Sequence, residues 1–193
     1  MKNSFEKELP SEYRPVKVVD ATDKKLGICL NIAALGTAAA IVAVTVLAVK
    51  PRDFLGSYSL LRNLILCGGM FLYIVLHELV HGLAYKCLTG QKLTFGMTLT
   101  VAYCGVPDIF VYRRTALISL LAPFAVFLPV FLLPTLLCAD PWDQVYASVM
   151  LGLHVGGCAG DLYDTFLYIV RFRAPSTLMQ DTGPKQTFYE KED

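Results

Sequence analysis

The sequence predicts an all-α membrane protein: four transmembrane helices, with a short β-strand or hairpin between the second and the third. Three observations lead there. Of the 193 residues, 55% are apolar, and a mean hydropathy of +0.52 is too high for an ordinary soluble domain of this length. Four stretches, 26–49, 63–85, 115–139 and about 145–170, contain no Lys or Arg. Each is long enough, at about 20 residues, to cross a hydrocarbon core of roughly 30 Å. Between the second and third stretches the period of the pattern changes from helical to two.

Residues 1–25 mix charges of both signs with Pro10 and Pro15 and read as a solvated cytoplasmic tail. No small-residue cleavage site follows a short apolar core, so the first apolar run is expected to be an uncleaved span. That span, rich in Ala, Val and Ile, carries no charge and is expected to serve packing.

The second span contains His77-Glu78-Leu79-Val80-His81-Gly82, a His-Glu-x-x-His pattern. Residues four apart share a helix face, so both imidazoles can meet one metal ion with Glu78 beside them. In sites of this kind zinc lowers the pKa of a bound water, and the glutamate takes a proton from it during attack on a peptide carbonyl. The bland alternative is a buried helix whose histidines bond to neighbouring backbone. Two of the three histidines in the chain fall in this motif, and an acid inside a span is costly enough to suggest function by default.

After Gly90, Leu93, Phe95, Met97, Leu99, Val101 and Tyr103 alternate with polar or small residues. A strand of a dozen residues, or a hairpin bent at Gly96, is expected. Ile109 to Tyr112 is a candidate returning strand. The period-two stretch suggests that Leu93, Phe95, Met97 and Leu99 bind substrate by strand addition beside the metal, against the alternative of a covered loop that only fills space. Span three holds Pro123, Pro129 and Pro134 and is expected to be kinked or partly unwound.

The fourth span contains His154, Asp161 and Asp164. Catalytic zinc takes three protein ligands and keeps one position open, and the candidates for the third are Asp161, Asp164, His154 and the loop residue Asp108. Depth ranks them. His77 lies eight residues before Tyr85, roughly 12 Å from the inner end of its span, and Asp161 lies nine before Val170, roughly 13 Å from the end of its own. His154 is about 10 Å further along, and Asp164 is nearly a turn closer to the cytoplasm. Gly156 and Gly160 are spaced to bring span four close to span two, or to serve ordinary packing. Residues 173–193 read as a second solvated tail, leaving 26–172 as the membrane domain.

Six scattered cysteines show no paired spacing, which indicates neither a disulfide framework nor a cysteine zinc site. A net charge of +1 gives no reason to expect a nucleic-acid partner. The basic residues are unevenly placed, however. With both termini inside, 14 of the 17 Lys and Arg residues face the cytoplasm, as the positive-inside rule requires of a multi-pass protein of the cell membrane.

With the zinc motif, the strand-like loop, Leu121-Ala122-Pro123 and Gly160-Asp161-Leu162 in that order, residues 60–172 resemble a small bacterial membrane family of zincin peptidases. More distantly the chain is similar to the site-two protease family of intramembrane zinc metalloproteases. That resemblance implies one zinc ion held by His77, His81 and Asp161, with Glu78 as the base. The wider family's last motif typically carries Asn and Pro before Leu-Asp-Gly, and this chain has Gly-Asp-Leu without them. The leading expectation is a membrane-embedded zinc endopeptidase acting on a membrane protein or membrane-associated peptide in the lipid bilayer. A metal-binding transporter or sensor is the alternative, and a catalytically silent relative with a structural metal is a third. Transport is disfavoured because span two is apolar from Leu64 to Leu76.

Overall fold

Apolar runs of this length are suited to helices, which satisfy every backbone N–H and C=O within one segment and so need no water to do it. The computed structural model describes residues 4–52, 59–98 and 102–192. Among the described residues, three helices are long and apolar enough to cross a membrane: α1 (Lys24–Val49), α2 (Leu60–Thr89) and α3 (Arg113–Leu137). A fourth candidate is broken at Cys158 into α4 (Pro141–Gly157) and α5 (Ala159–Val170). Mostly helical structure with apolar helices therefore stands, but an all-α description does not. Helix α3 runs through its three prolines without a break, so the expected unwinding is absent.

The larger correction concerns the tails. Strands β1 (Phe5–Glu6) and β2 (Tyr13–Asp20) from the start of the chain, β5 (Phe110–Tyr112) from the loop, and β6 (Leu178–Asp181) and β7 (Lys185–Lys191) from its end form one antiparallel sheet, in the order β1-β5-β6-β7-β2. Both segments expected to be solvated are thus paired backbone. Pro15, which has no N–H to give a ladder, is accommodated because β2 is an edge strand and its register shifts between Pro15 and Lys17. The candidate return strand, β5, pairs with β1 and β6 and not with the strand before it.

The loop strand is also shorter than its alternation predicts. Strand β3 (Thr94–Met97) pairs with β4 (Ala102–Gly105) as a separate two-stranded sheet. Gly96 lies within β3, opposite Tyr103, so the hairpin does not bend there.

By contacts the chain divides into two units, one of residues 1–27, 75–123 and 160–193, the other of 28–74 and 124–159. The first has a core that includes Tyr85, Ile109, Val111, Tyr168, Phe172 and Phe188, with Phe172 stacked on Phe188 at a centroid distance of 4.8 Å. In the second, Asp140 caps α4 by accepting from the N–H groups of Trp142 and Asp143. Gly152 and Gly156 lie against Ala38 and Ala34 of α1, and Gly160 has no neighbour within 4 Å of a Cβ position. The glycine pair expected to bring span four to span two therefore does not act in that way.

Candidate metal centre

Helix α2 carries His77 and His81 one turn apart, so their rings project from one face. Both are buried. His81 donates from Nδ1 to the carbonyl oxygen of Ser119 on α3, at 2.8 Å. A carbonyl can only accept, so Nδ1 holds a proton, and in the neutral ring Nε2 keeps its lone pair. Nε2 of His81 is 3.2 Å from Nε2 of His77.

Asp161 closes the group. The helix breaks after Gly156 and Gly157, which favour helix poorly, and restarts at Ala159, placing Asp161 in the first turn of α5, where the helix dipole suits a carboxylate. Its Oδ2 is 3.3 Å from Nε2 of His77 and its Oδ1 3.4 Å from Nε2 of His81. Metal–ligand bonds of about 2.0–2.1 Å at tetrahedral angles put neighbouring ligand atoms about 3.3–3.4 Å apart. The three separations found lie close to that value, with Asp161 reaching one ring through each of its carboxylate oxygens. Among the described residues no Lys or Arg joins these two imidazoles and the carboxylate, and a cation between them, a proton or a metal ion, relieves the repulsion of their lone pairs. The donor set thus fits zinc by chemistry and by spacing. Glu78, half-buried, adjoins His77 in the chain.

The sequence profile of the family described as "Putative zincin peptidase" matches residues 70–176, more than half of the chain. The chain belongs to that family. No curated protein and no solved structure matches it. Membership makes this a metallopeptidase in outline and implies zinc as the metal.

Two other candidate ligands, Asp164 and Asp108, stand outside this group. Asp164 is buried one turn along α5, its Oδ1 without a hydrogen-bond partner among the described residues, and it is outside the group that converges with the two histidines. His154 belongs to the second unit, where its Nδ1 meets the Tyr73 hydroxyl at 2.9 Å and Phe124 stacks on its ring. Asp108 is exposed on the turn before β5.

The hairpin reaches the motif helix. At Gly82, the residue after His81, a Cβ would come within 2.7 Å of the Phe95 ring and 3.1 Å of Leu93, so a glycine is what allows the hairpin so close. Phe95 is otherwise half exposed, as is Met97 to a larger extent. Leu99, the last of the expected substrate-binding residues, lies outside the described residues. Strand β3 has no partner on its outer edge among the described residues, whereas the chain just beyond β4 is engaged through Val106 N–H, which donates to the Asp181 carbonyl at 2.8 Å.

Three contributors were not legible beforehand. Ser119 acts through its backbone carbonyl, which no side-chain pattern can signal. Tyr85 looks like one more apolar residue of α2, yet its hydroxyl donates to Asp181 Oδ2 at 2.7 Å. Asp181 had a usable signal: Gly183-Pro184 is turn punctuation, and the strand formers Phe188 and Tyr189 follow it closely.

Proposed function

We propose that this zincin peptidase is embedded in the cell membrane and hydrolyses a peptide bond of a membrane protein or membrane-associated peptide near the cytoplasmic face. The observation that carries the proposal is the convergence of His77, His81 and Asp161, with atoms 3.2 to 3.4 Å apart, on the helix that carries Glu78. Those three residues would hold one zinc ion per chain. When bound, zinc supplies a Lewis acid that polarises the scissile carbonyl and acidifies water. Glu78 takes the proton of the attacking water on its carboxylate as the new C–O bond forms, and returns it to the amide nitrogen as the C–N bond breaks. The hydrogen bond from His81 Nδ1 to Ser119 keeps that ring turned with Nε2 towards Asp161.

A helical substrate hides its carbonyls in hydrogen bonds and must be extended before attack. The edge of β3 that has no partner among the described residues is suited to this by strand addition, with Leu93, Phe95, Met97 and Leu99 as the contacts. Its nearness to Gly82 supports the assignment.

Sheet topology supports four crossings. Strands from before α1, from between α2 and α3, and from after α5 share one sheet. A sheet with lipid-exposed edges does not straddle hydrocarbon. These three segments therefore share one side, with an even number of crossings between each pair: α1 with α2, then α3 with the broken α4–α5 span. Basic residues concentrate on that side, which makes it cytoplasmic.

Glu78→Gln tests the chemistry. The amide cannot act as a base, so zinc content should stay near one per chain while cleavage of membrane peptides falls by about 10²–10⁴-fold. Full cleavage by this variant would remove Glu78 from the mechanism, and metal flux with no cleavage by the parent protein would favour a carrier.

A further inference from the structure

The turn between β6 and β7 does more than join two strands. Asp181 is buried at its start, and each oxygen it owns is engaged. Oδ2 accepts from the Tyr85 hydroxyl at 2.7 Å. Oδ1 accepts from Gly183 N–H at 2.9 Å and from Gln186 Nε2 at 3.1 Å. Its backbone carbonyl accepts from Val106 N–H at 2.8 Å.

These partners belong to two different parts of the proposed machinery. Tyr85 stands on α2 one turn past His81. Val106 directly follows β4, the strand that pairs with β3. The turn touches the hairpin a second time at Gly183, whose φ of +100° is left-handed and whose open α-carbon lies against the Tyr103 ring. One residue thus binds the helix that holds the metal ligands by its side chain and the hairpin by its backbone. The family match ends at residue 176, short of this turn.

We infer that the turn Asp181–Gly183 sets the position of the β3–β4 hairpin against the metal-binding helix, with Asp181 as a positioning residue for substrate. The inference rests on the peptidase reading, in which the hairpin aligns the peptide. It assigns the end of the chain a part in substrate alignment and none in metal binding. Loss of the tie lets the hairpin drift while the metal group, built from α2, α3 and α5, stays intact. A hydrogen bond to a charged group is strong enough for its loss to shift an equilibrium by about tenfold or more.

The experiment uses the full-length zinc-loaded protein in bilayer or detergent with two variants that act on the same bond from opposite sides, one removing it and one removing its charge. Tyr85→Phe removes the donor. Asp181→Asn replaces Oδ2 but keeps an oxygen for Gly183 and Gln186, so the turn itself can persist. Three quantities are read: zinc content, hydrogen exchange of hairpin amides in residues 94–97 and 102–106, and steady-state cleavage of a membrane peptide. Both variants should hold about one zinc, exchange hairpin amides about tenfold faster with the β5–β6 pair unchanged, and raise KM about tenfold with kcat within about twofold. Hairpin exchange at the parent rate in both variants overturns the inference, as does loss of zinc along with the tie or a fall in kcat at constant KM. If the parent cleaves no peptide, the peptidase reading fails separately, and the exchange measurement still decides whether Asp181 positions the hairpin.

Discussion

His81 illustrates how much of this centre depends on atoms that are not ligands. Its Nδ1 is spent on the Ser119 carbonyl, which selects the tautomer whose Nε2 can accept a metal. Asp181 shows the opposite economy: a carboxyl fully removed from water, with three donors on its oxygens. Burial outweighs those donors and pushes its pKa up to about 6. A raised carboxyl pKa means that folding favours the protonated form, so the stabilisation is present below the unfolded value near 4 and is lost as pH rises through about 6. A shift of about two units corresponds to about 3 kcal/mol. Denaturant midpoints of the parent should therefore fall between pH 4.5 and 7, and those of Asp181→Asn should fall less. A parent midpoint that is flat or rises across this window would show that Asp181 is not so perturbed.

Strand β3 is short, and its value lies in which edge is open. Its register with β4 pairs Thr94 with Gly105 and Met97 with Ala102, so alternate N–H groups in β3 face β4 and the remainder face outward. Proline removes a ladder donor. Placed singly at residues 94–97, proline should at one or more outward positions abolish cleavage with zinc content unchanged, if substrate pairs with that edge. Should every such variant either cleave normally or lose its zinc, β3 is no substrate clamp. The alternation from residue 92 to 103 revealed extended chain but neither its length nor its partner, because a period of two records which faces differ and not which edge is covered. The same limit explains β5, whose candidate partner was the preceding strand and whose actual neighbours come from the two ends of the chain.

The five-stranded sheet ties the molecule's ends to its central loop, and this makes the topology testable without any activity assay. Epitope tags fused at either end should both be shielded from antibody in intact cells, and a tag inserted after Arg52 should be reachable from outside. A single end exposed outside would contradict four crossings, since the strands that the ends contribute share one sheet.

Composition and periodicity were enough for the long apolar helices, their approximate limits and the pair of imidazoles with Glu78 between them. These are properties of contiguous residues: hydropathy over about 20 positions and a four-residue spacing on one helix. The depth of Asp161 along its span was also readable, because rise per residue is constant in a helix. Tertiary structure alone decided that Asp161, and not Asp164 one turn away, meets the histidines, because rotation about a helix axis depends on packing that hydropathy does not encode. It alone turned two polar tails into a shared sheet. Pairing between residues more than 160 positions apart, such as Tyr13 and Lys191, leaves no periodic mark on either segment, since each strand satisfies its backbone through a partner whose distance in sequence is unconstrained.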